Sequence, residues 1–321
     1  MNWKILVNDG MHPKGAQALE AAGMVVDQHS IAQDQLDPLL NNYDVIVVRS
    51  ATKIRKELID ATPNLKMIVR GGVGLDNIDV EYAKQKGIIV ANTPSASSRS
   101  VAELVVGQMI TMSRFLHHSN RAMPESGNSR FKALKKSYAK GLELEGKKIA
   151  IIGCGRIGLS LAQIALGLGM QVLPVDPYLE DGITLNFEVA TVPIHVDIPL
   201  LSLEEALKAA DYISLHVPYL GKPLISTAEF ELMLPHAIIV NAARGGVIDE
   251  SALLEALDQG KIGMAALDVF MNEPAPNPAL LNHPRISVTP HIGASTIEAQ
   301  EKIGMEIAKQ IIAQHKEWNE G

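Results

Sequence analysis

An α/β fold of two doubly wound parallel-sheet domains is predicted by three features of this 321-residue sequence. Short β-branched runs alternate with helix-period segments, the alternation restarts after a polar break, and the length exceeds what one hydrophobic core fills. The first set of runs is KILVND, DVIVVRS, LKMIVRGG and GIIVANTP, with helical patterns such as residues 13–22 and 53–61 between them. Connections of this kind are right-handed and give a parallel sheet. VAELVVGQMITMSRFL, within residues 100–119, is apolar on nearly every face and predicts a helix buried between domains or subunits. Residues 121–146 are polar, basic and contain Gly and Ser, and read as a connector. KKIAIIGCGRIG then opens the second set, continued by MQVLPVD, YISLHVP, AIIVNAA, GMAALDVF and RISVTPH. A last helix, expected over residues 296–318, comes too late to seed another domain and is expected to pack back on the first. The expected division is an outer domain of residues 1–99 and 292–321 around an inner domain of residues 100–291.

Composition narrows the function classes. Hydrophobic residues at 47% supply two cores, while a net charge of -7 without a concentrated basic face argues against a nucleic-acid partner. No apolar run reaches the roughly 18 residues of a membrane span. The opening MNWKILVNDG goes straight into a strand-like run without the long apolar segment and small-residue cleavage site of a signal peptide, so a cytoplasmic location is expected. With Cys154 the single cysteine, an intramolecular disulfide is impossible and no metal site is expected.

AIIGCGRIG places Gly153, Gly155 and Gly158 in G-x-G-x-x-G spacing between a strand and a helix. Such glycines give a tight turn, close backbone approach to a pyrophosphate and tight helix packing, and the helix start adds oriented N–H groups. The next strand ends in Asp176, about 20 residues beyond the loop, where an acidic residue accepts from ribose hydroxyls and repels a 2′-phosphate. NAD rather than NADP is the expected cofactor. Cys154 reads as small filler within the loop.

Three further stretches end strands of the inner domain: AARGG with Arg244, ALDVFMNEPAP with Glu273, and VTPHIGAST with His291. Ligands of open α/β sheets bind outside the carboxyl ends of the strands, so the three residues can converge. A permanent cation, a titratable imidazole and a carboxylate to orient it suit hydride chemistry on a 2-hydroxy or 2-oxo acid. Arg244 would grip the substrate carboxylate bidentately, and the glycines after it would keep the backbone from crowding the ligand. His291 would take the hydroxyl proton, with Glu273 holding the ring.

GCGRIG, VNAARGGVIDE, AALDVFMNEP and TPHIGAST together closely resemble the D-2-hydroxyacid dehydrogenase family, and the resemblance covers essentially the whole chain. It implies a Rossmann NAD-binding domain inserted in a flavodoxin-like substrate domain. It also implies Arg244, Glu273 and His291 as the catalytic set, and Asp268 as a contact of the nicotinamide carboxamide. Arg156, Ile157, His216, Val217, Pro218, Ala242 and Gly293 are implied beside the cofactor. A homodimer through the nucleotide domain follows from the same resemblance, with the long helix and connector wrapping the partner. In the outer domain, VVRSATKI with Arg49 and Ser50, and VRGGVGLDNID with Arg70, Val73 and Gly74, resemble segments that hold the substrate carboxylate and phosphate. Asn92 is expected to face the cleft, and Lys135 and Lys136 to reach a partner subunit's substrate.

Two stretches depart from the family pattern. HVPYLGKPLIS is shortened and lacks a phosphate-side threonine, and residues 185–200 alternate like an added hairpin; both are expected to border the cofactor. No C-terminal regulatory module is expected. The function expected is NAD-dependent oxidation of D-3-phosphoglycerate, a phosphorylated 2-hydroxy acid, to 3-phosphohydroxypyruvate in serine biosynthesis. The alternatives are a glyoxylate or hydroxypyruvate reductase and, outside enzymes, an NAD-sensing corepressor-like binding protein.

Overall fold

The structure, a computed structural model, describes residues 2–189 and 191–320. The chain forms two compact units, Met1–Ser98 with Ala294–Gly321, and Arg99–Gly293.

In the first unit, β1 (Lys4–Val7), α1 (Pro13–Ala21), β2 (Val25–Asp27), α2 (Leu36–Leu40), β3 (Val45–Val48), α3 (Lys56–Ala61), β4 (Met67–Arg70), α4 (Val80–Gln85) and β5 (Ile89–Asn92) follow in order. Among the described residues the strands form one parallel sheet in the order β2-β1-β3-β4-β5, the flavodoxin-like arrangement. Both faces are covered, which is why VIVV of β3 is apolar throughout and wholly buried. Successive residues point to opposite faces. Ile46, Val48 and Ile68 meet α2, α3 and α4 through Leu36, Leu40, Leu58 and Ala83. Val45, Val47 and Val69 meet Leu19 of α1 and the helix near the C-terminus, α12 (Ile297–Glu320), through Ile303, Ile307 and Ile311. Each such burial contributes roughly 1.5–3 kcal/mol. Helix α12 lies so close to α1 that a Cβ on Gly15 would sit 2.5 Å from the Gly304 carbonyl oxygen.

The second unit contains α5 (Ser98–Ser113), entering at its boundary, α6 (Leu116–Ser137), β6 (Lys148–Ile152), α7 (Arg156–Gly167), β7 (Gln171–Val175), β8 (Ile183–Val189) and β9 (Val192–Ile198). Then come α8 (Leu203–Ala209), β10 (Tyr212–Leu215), α9 (Thr227–Phe230), β11 (Ile238–Asn241), α10 (Glu250–Asp258), β12 (Met264–Leu267), α11 (Pro278–Asn282) and β13 (Ile286–Val288). Its parallel sheet runs β13-β12-β11-β10-β6-β7 among the described residues. β6 is the switch point, with β7 on one side and β10 on the other. Val105, Met109 and Met112 of α5 and Leu161 of α7 cover one face, while Leu207 of α8 and Leu253 of α10 cover the other.

Three expectations need correction. The long helix stops at Ser113, where Phe115 takes a left-handed φ of 54°, and α5 buries one side while Glu103 and Ile110 stay exposed. Most of the expected connector is the helix α6. It buries only Gly127 and Leu134, so it has no apolar stripe to betray it, yet Ala133, Leu134, Lys135 and Lys136 are good helix formers that outlast Pro124. The added hairpin is β8–β9, and it packs Ile183 and Leu185 beside Leu161 and Val172. None of its described residues lines the cavity described below, so the described part of the hairpin does not border that cavity, against expectation.

Candidate active site

Because the sheet of the second unit is parallel, every strand presents its carboxyl end at the same edge, and the candidate residues follow β6, β7, β10, β11, β12 and β13. After β6, Gly153 has a φ of 96°, and a Cβ there would lie 2.6 Å from the His216 carbonyl oxygen. A Cβ on Gly158, in the first turn of α7, would lie 2.1 Å from the Gly153 carbonyl oxygen, so this helix can approach its strand only through glycine. Gly155 is the N-cap of α7 and has open space around its Cβ position, with Arg156 and Ile157 opening the helix. That is a cradle into which a pyrophosphate fits. Asp176, after β7, closes the loop from the other side: Oδ2 accepts from the Cys154 N–H at 2.9 Å and Oδ1 from the Tyr178 N–H at 3.0 Å. Burial pushes the Cys154 thiol up to about 11, so it stays protonated and serves as filler.

Gly153, Gly155 and Asp176 line a cavity of about 620 Å³, within the range of cofactor sites. His216, Val217 and Pro218 after β10 form part of its wall. His216 Nε2 lies 2.9 Å from Ser214 Oγ, while Nδ1 is shielded from solvent without a partner among the described residues. Burial lowers this imidazole to about 4, keeping it neutral. Leu220 and Lys222, in the shortened stretch expected to border the cofactor, also line the cavity, as do Tyr178, Leu201 and Leu203, which the sequence did not single out. Tyr178 stands two residues beyond Asp176, in a stretch without a fixed spacing to read.

The acid–base candidates meet directly. His291 Nδ1 lies 2.8 Å from Glu273 Oε2, and Glu273 Oε1 accepts from the Phe270 N–H at 2.9 Å. A carboxylate can only accept, so Nδ1 carries the proton and Nε2 is left as the basic nitrogen, with no protein partner among the described residues. The two side chains are 42% and 36% exposed, open enough for a ligand to reach. His291 adopts a φ of 54°, a strained conformation for a side chain of its size, of the kind that clusters at functional sites. Asp268, 3% exposed, holds this segment: Oδ1 accepts from Thr289 Oγ1 at 2.6 Å and the Ile292 N–H at 2.8 Å, and Oδ2 from the Gly293 N–H at 2.8 Å.

Ala242 and Arg244 follow β11 on a loop braced by Asn241, which the sequence reading missed. Its buried amide donates to the Arg244 carbonyl at 2.9 Å and accepts from the Ala243 N–H at 3.0 Å. Arg244 Nη1 donates to the Ala243 carbonyl at 2.7 Å. The two glycines after it also answer to the protein's own backbone. A Cβ on Gly245 would fall 2.0 Å from the Phe270 carbonyl oxygen, and Gly246 has a φ of 82°.

In the first unit the substrate candidates also gather at the carboxyl edge of the sheet. Arg49 and Ser50 follow β3, Arg70 ends β4 with Val73 and Gly74 beyond it, and Asn92 ends β5. Arg49 Nη1 donates to Gln300 Oε1 at 2.5 Å, and burial of its guanidinium lowers its pKa. The Arg70 guanidinium lies over Gly72, where a Cβ would be 2.3 Å from Nη1. Asn92 Nδ2 donates to the Val73 carbonyl at 2.6 Å, while the Val73 and Gly74 N–H groups have no protein acceptor among the described residues. Lys135 and Lys136 stand exposed in the last turn of α6, in the other unit. Among the described residues there is no cluster of three His, Cys, Asp or Glu side chains able to hold a metal, and no helix long and apolar enough to cross a membrane.

A glycine cradle, an acidic strand end and a carboxylate–imidazole pair on one sheet edge define a dinucleotide-binding domain equipped for proton transfer. The chain belongs to the D-isomer specific 2-hydroxyacid dehydrogenase family, whose NAD binding domain matches residues 106–293. It is 42% identical over 312 residues to D-3-phosphoglycerate dehydrogenase of Methanocaldococcus jannaschii, covering 96% of this chain and 56% of that protein. The chain therefore spans little more than half the length of that relative. It is also 40% identical over 315 residues to hydroxypyruvate reductase of Thermotoga maritima, covering 96% of this chain and 97% of the reductase. Among solved structures, NAD+-bound 3-phosphoglycerate dehydrogenase of Entamoeba histolytica superposes with a TM-score of 0.75 at 28% identity, over 97% of this chain and 95% of that one.

Proposed function

We propose that this chain oxidises D-3-phosphoglycerate to 3-phosphohydroxypyruvate with NAD, as the entry step of serine synthesis, in the cytoplasm and as a homodimer. The observation that carries the dehydrogenase reading is the Glu273–His291 pair, its Nε2 without a protein partner among the described residues, on the sheet edge that also holds the cavity beside the glycine loop. Bound NAD supplies the hydride acceptor. His291 Nε2 takes the proton of the substrate hydroxyl, and Glu273 fixes the tautomer that leaves Nε2 basic and stabilises the imidazolium that forms. Arg244 holds the carboxylate in a charge-assisted, bidentate contact. Asp176 receives the ribose hydroxyls and repels a 2′-phosphate.

In the first unit, Val73 and Gly74 offer the carboxylate N–H groups that have no protein acceptor among the described residues, with Asn92 and Ser50 as further substrate contacts. Arg49 and Arg70 are the cations for the phosphate, with Lys136 as a contribution from a partner subunit. Support for the dimer comes from α6, a helix that buries two residues among those described and leaves Met123 and Phe131 exposed. A hydroxypyruvate or glyoxylate reductase is the second reading, favoured by the Thermotoga maritima relative that this chain matches over nearly its full length. Following NADH absorbance with a panel of 2-hydroxy and 2-oxo acids separates the two.

A further inference from the structure

Glu273 can orient His291 only if the turn that carries it is itself held, and that turn is gripped from one side by the loop after β11. Gly245 packs against the Phe270 carbonyl so tightly that a Cβ would lie 2.0 Å away, and a Cβ on Gly246 would meet Met271 Sδ at 2.8 Å. A polar tie joins this contact among the described residues: Glu250 Oε1 accepts from the Met271 N–H at 2.8 Å. Two successive N–H groups, of Phe270 and Met271, thus end on two carboxylates, Glu273 and Glu250. Glu250 is the first residue of α10, where an acidic side chain ordinarily serves the helix. Here that task is already filled. Asp249 caps the helix, its Oδ1 accepting from the Ser251 N–H at 3.0 Å and the Ala252 N–H at 3.1 Å, which leaves the Glu250 carboxylate for the neighbouring turn.

We infer that Glu250 is a positioning residue for the acid–base pair: by anchoring the Met271 N–H it fixes the turn on which Glu273 meets His291. The inference rests on the proposed reading of Glu273 and His291, and it makes reach rather than charge the property that matters. Two substitutions separate these. Glu250→Gln keeps an acceptor oxygen at the same distance and removes the charge. Glu250→Asp keeps the charge at the start of α10 and withdraws the acceptor by one methylene.

The test measures kcat and KM of the full chain for both variants, and the neutral-imidazole tautomer of His291 by nitrogen-15 NMR at alkaline pH. Glu273→Gln serves as the reference. The expected result is a kcat about tenfold or more below the parent in Glu250→Asp, with KM for NAD unchanged and the Nδ1–H tautomer of His291 partly lost. Glu250→Gln should keep kcat within about twofold and the parental tautomer. The reverse pattern, with Gln impaired and Asp parental, would reduce Glu250 to a helix-end charge and overturn the inference. Parental behaviour in both variants, alongside an impaired Glu273→Gln, would overturn it while leaving the acid–base reading intact. A parental Glu273→Gln would overturn both.

Discussion

Replacing Asp268 with asparagine changes one atom and should loosen the segment that carries His291. The aspartate accepts three hydrogen bonds in a buried setting, two at Oδ1 and one at Oδ2. Asparagine has one acceptor oxygen. Placed at the Oδ1 position it keeps Thr289 and Ile292 but points its NH₂ at the buried Gly293 N–H; placed the other way it keeps Gly293 and loses the other two. Even the better choice leaves a buried backbone donor without an acceptor, worth about 1–3 kcal/mol, and replaces charged acceptors with a neutral one for the remaining bonds. A total of about 2–4 kcal/mol corresponds, for a unit of this size, to a melting temperature lower by roughly 5–15 °C. The same bonds hold His291 at its φ of 54°, a conformation it would leave if released. kcat should therefore drop by about ten- to a hundredfold, more than KM for NAD rises. Calorimetry and steady-state kinetics on Asp268→Asn and Asp268→Ala measure both effects, with Ala the more damaging because all three donors are orphaned. An unchanged melting temperature, or a variant impaired only in NAD affinity, would refute the anchoring role and return Asp268 to the carboxamide contact that the family resemblance implies.

Asp176→Ser should narrow the preference for NAD over NADP, measured as the ratio of kcat/KM values; equal use of both cofactors by the parent would contradict the assigned role of Asp176. Arg49→Ala or Arg70→Ala should sharply reduce turnover of 3-phosphoglycerate and leave weak activity on glyoxylate nearly unchanged, because only the first carries the group being held. Acid should destabilise the apo protein through His216. Its folded value of about 4 lies below the ordinary 6.5, so its contribution is complete above pH 6.5 and is lost as the pH falls towards 4, by at most ~1.4 kcal/mol per pH unit. In His216→Gln, denaturant titrations between those limits should show a flatter dependence, and an identical slope would refute this.

Runs such as VIVV and IAII made the two sheets legible in the sequence, because strands buried on both faces need unbroken apolar residues and the glycine spacing marks the loop that opens the second set. His291 and Glu273 were legible for a related reason: each lies shortly after a strand, in a short motif whose chemistry has few other uses. Helix α6 was hidden because its faces are polar and its stability does not come from an apolar stripe. Asn241 and Glu250 were hidden because each acts across a contact, on the Arg244 loop and on the Met271 N–H, that no spacing along the chain encodes. The packing demand on Gly245 was hidden for the same reason, since the Phe270 carbonyl that makes it lies 25 residues away in the chain.

The central claim is hydride transfer between NAD and a phosphorylated 2-hydroxy acid at the Glu273–His291 pair, and one measurement tests it most directly. Purified protein is supplied with NAD and D-3-phosphoglycerate, or with NADH and 3-phosphohydroxypyruvate, hydroxypyruvate or glyoxylate, and NADH absorbance is followed in parallel for the parent and His291→Asn. The account predicts turnover by the parent with the phosphorylated pair preferred by kcat/KM, and loss of nearly all of it in the variant. A parent that prefers glyoxylate or hydroxypyruvate would contradict the substrate, and turnover that survives His291→Asn would contradict the site.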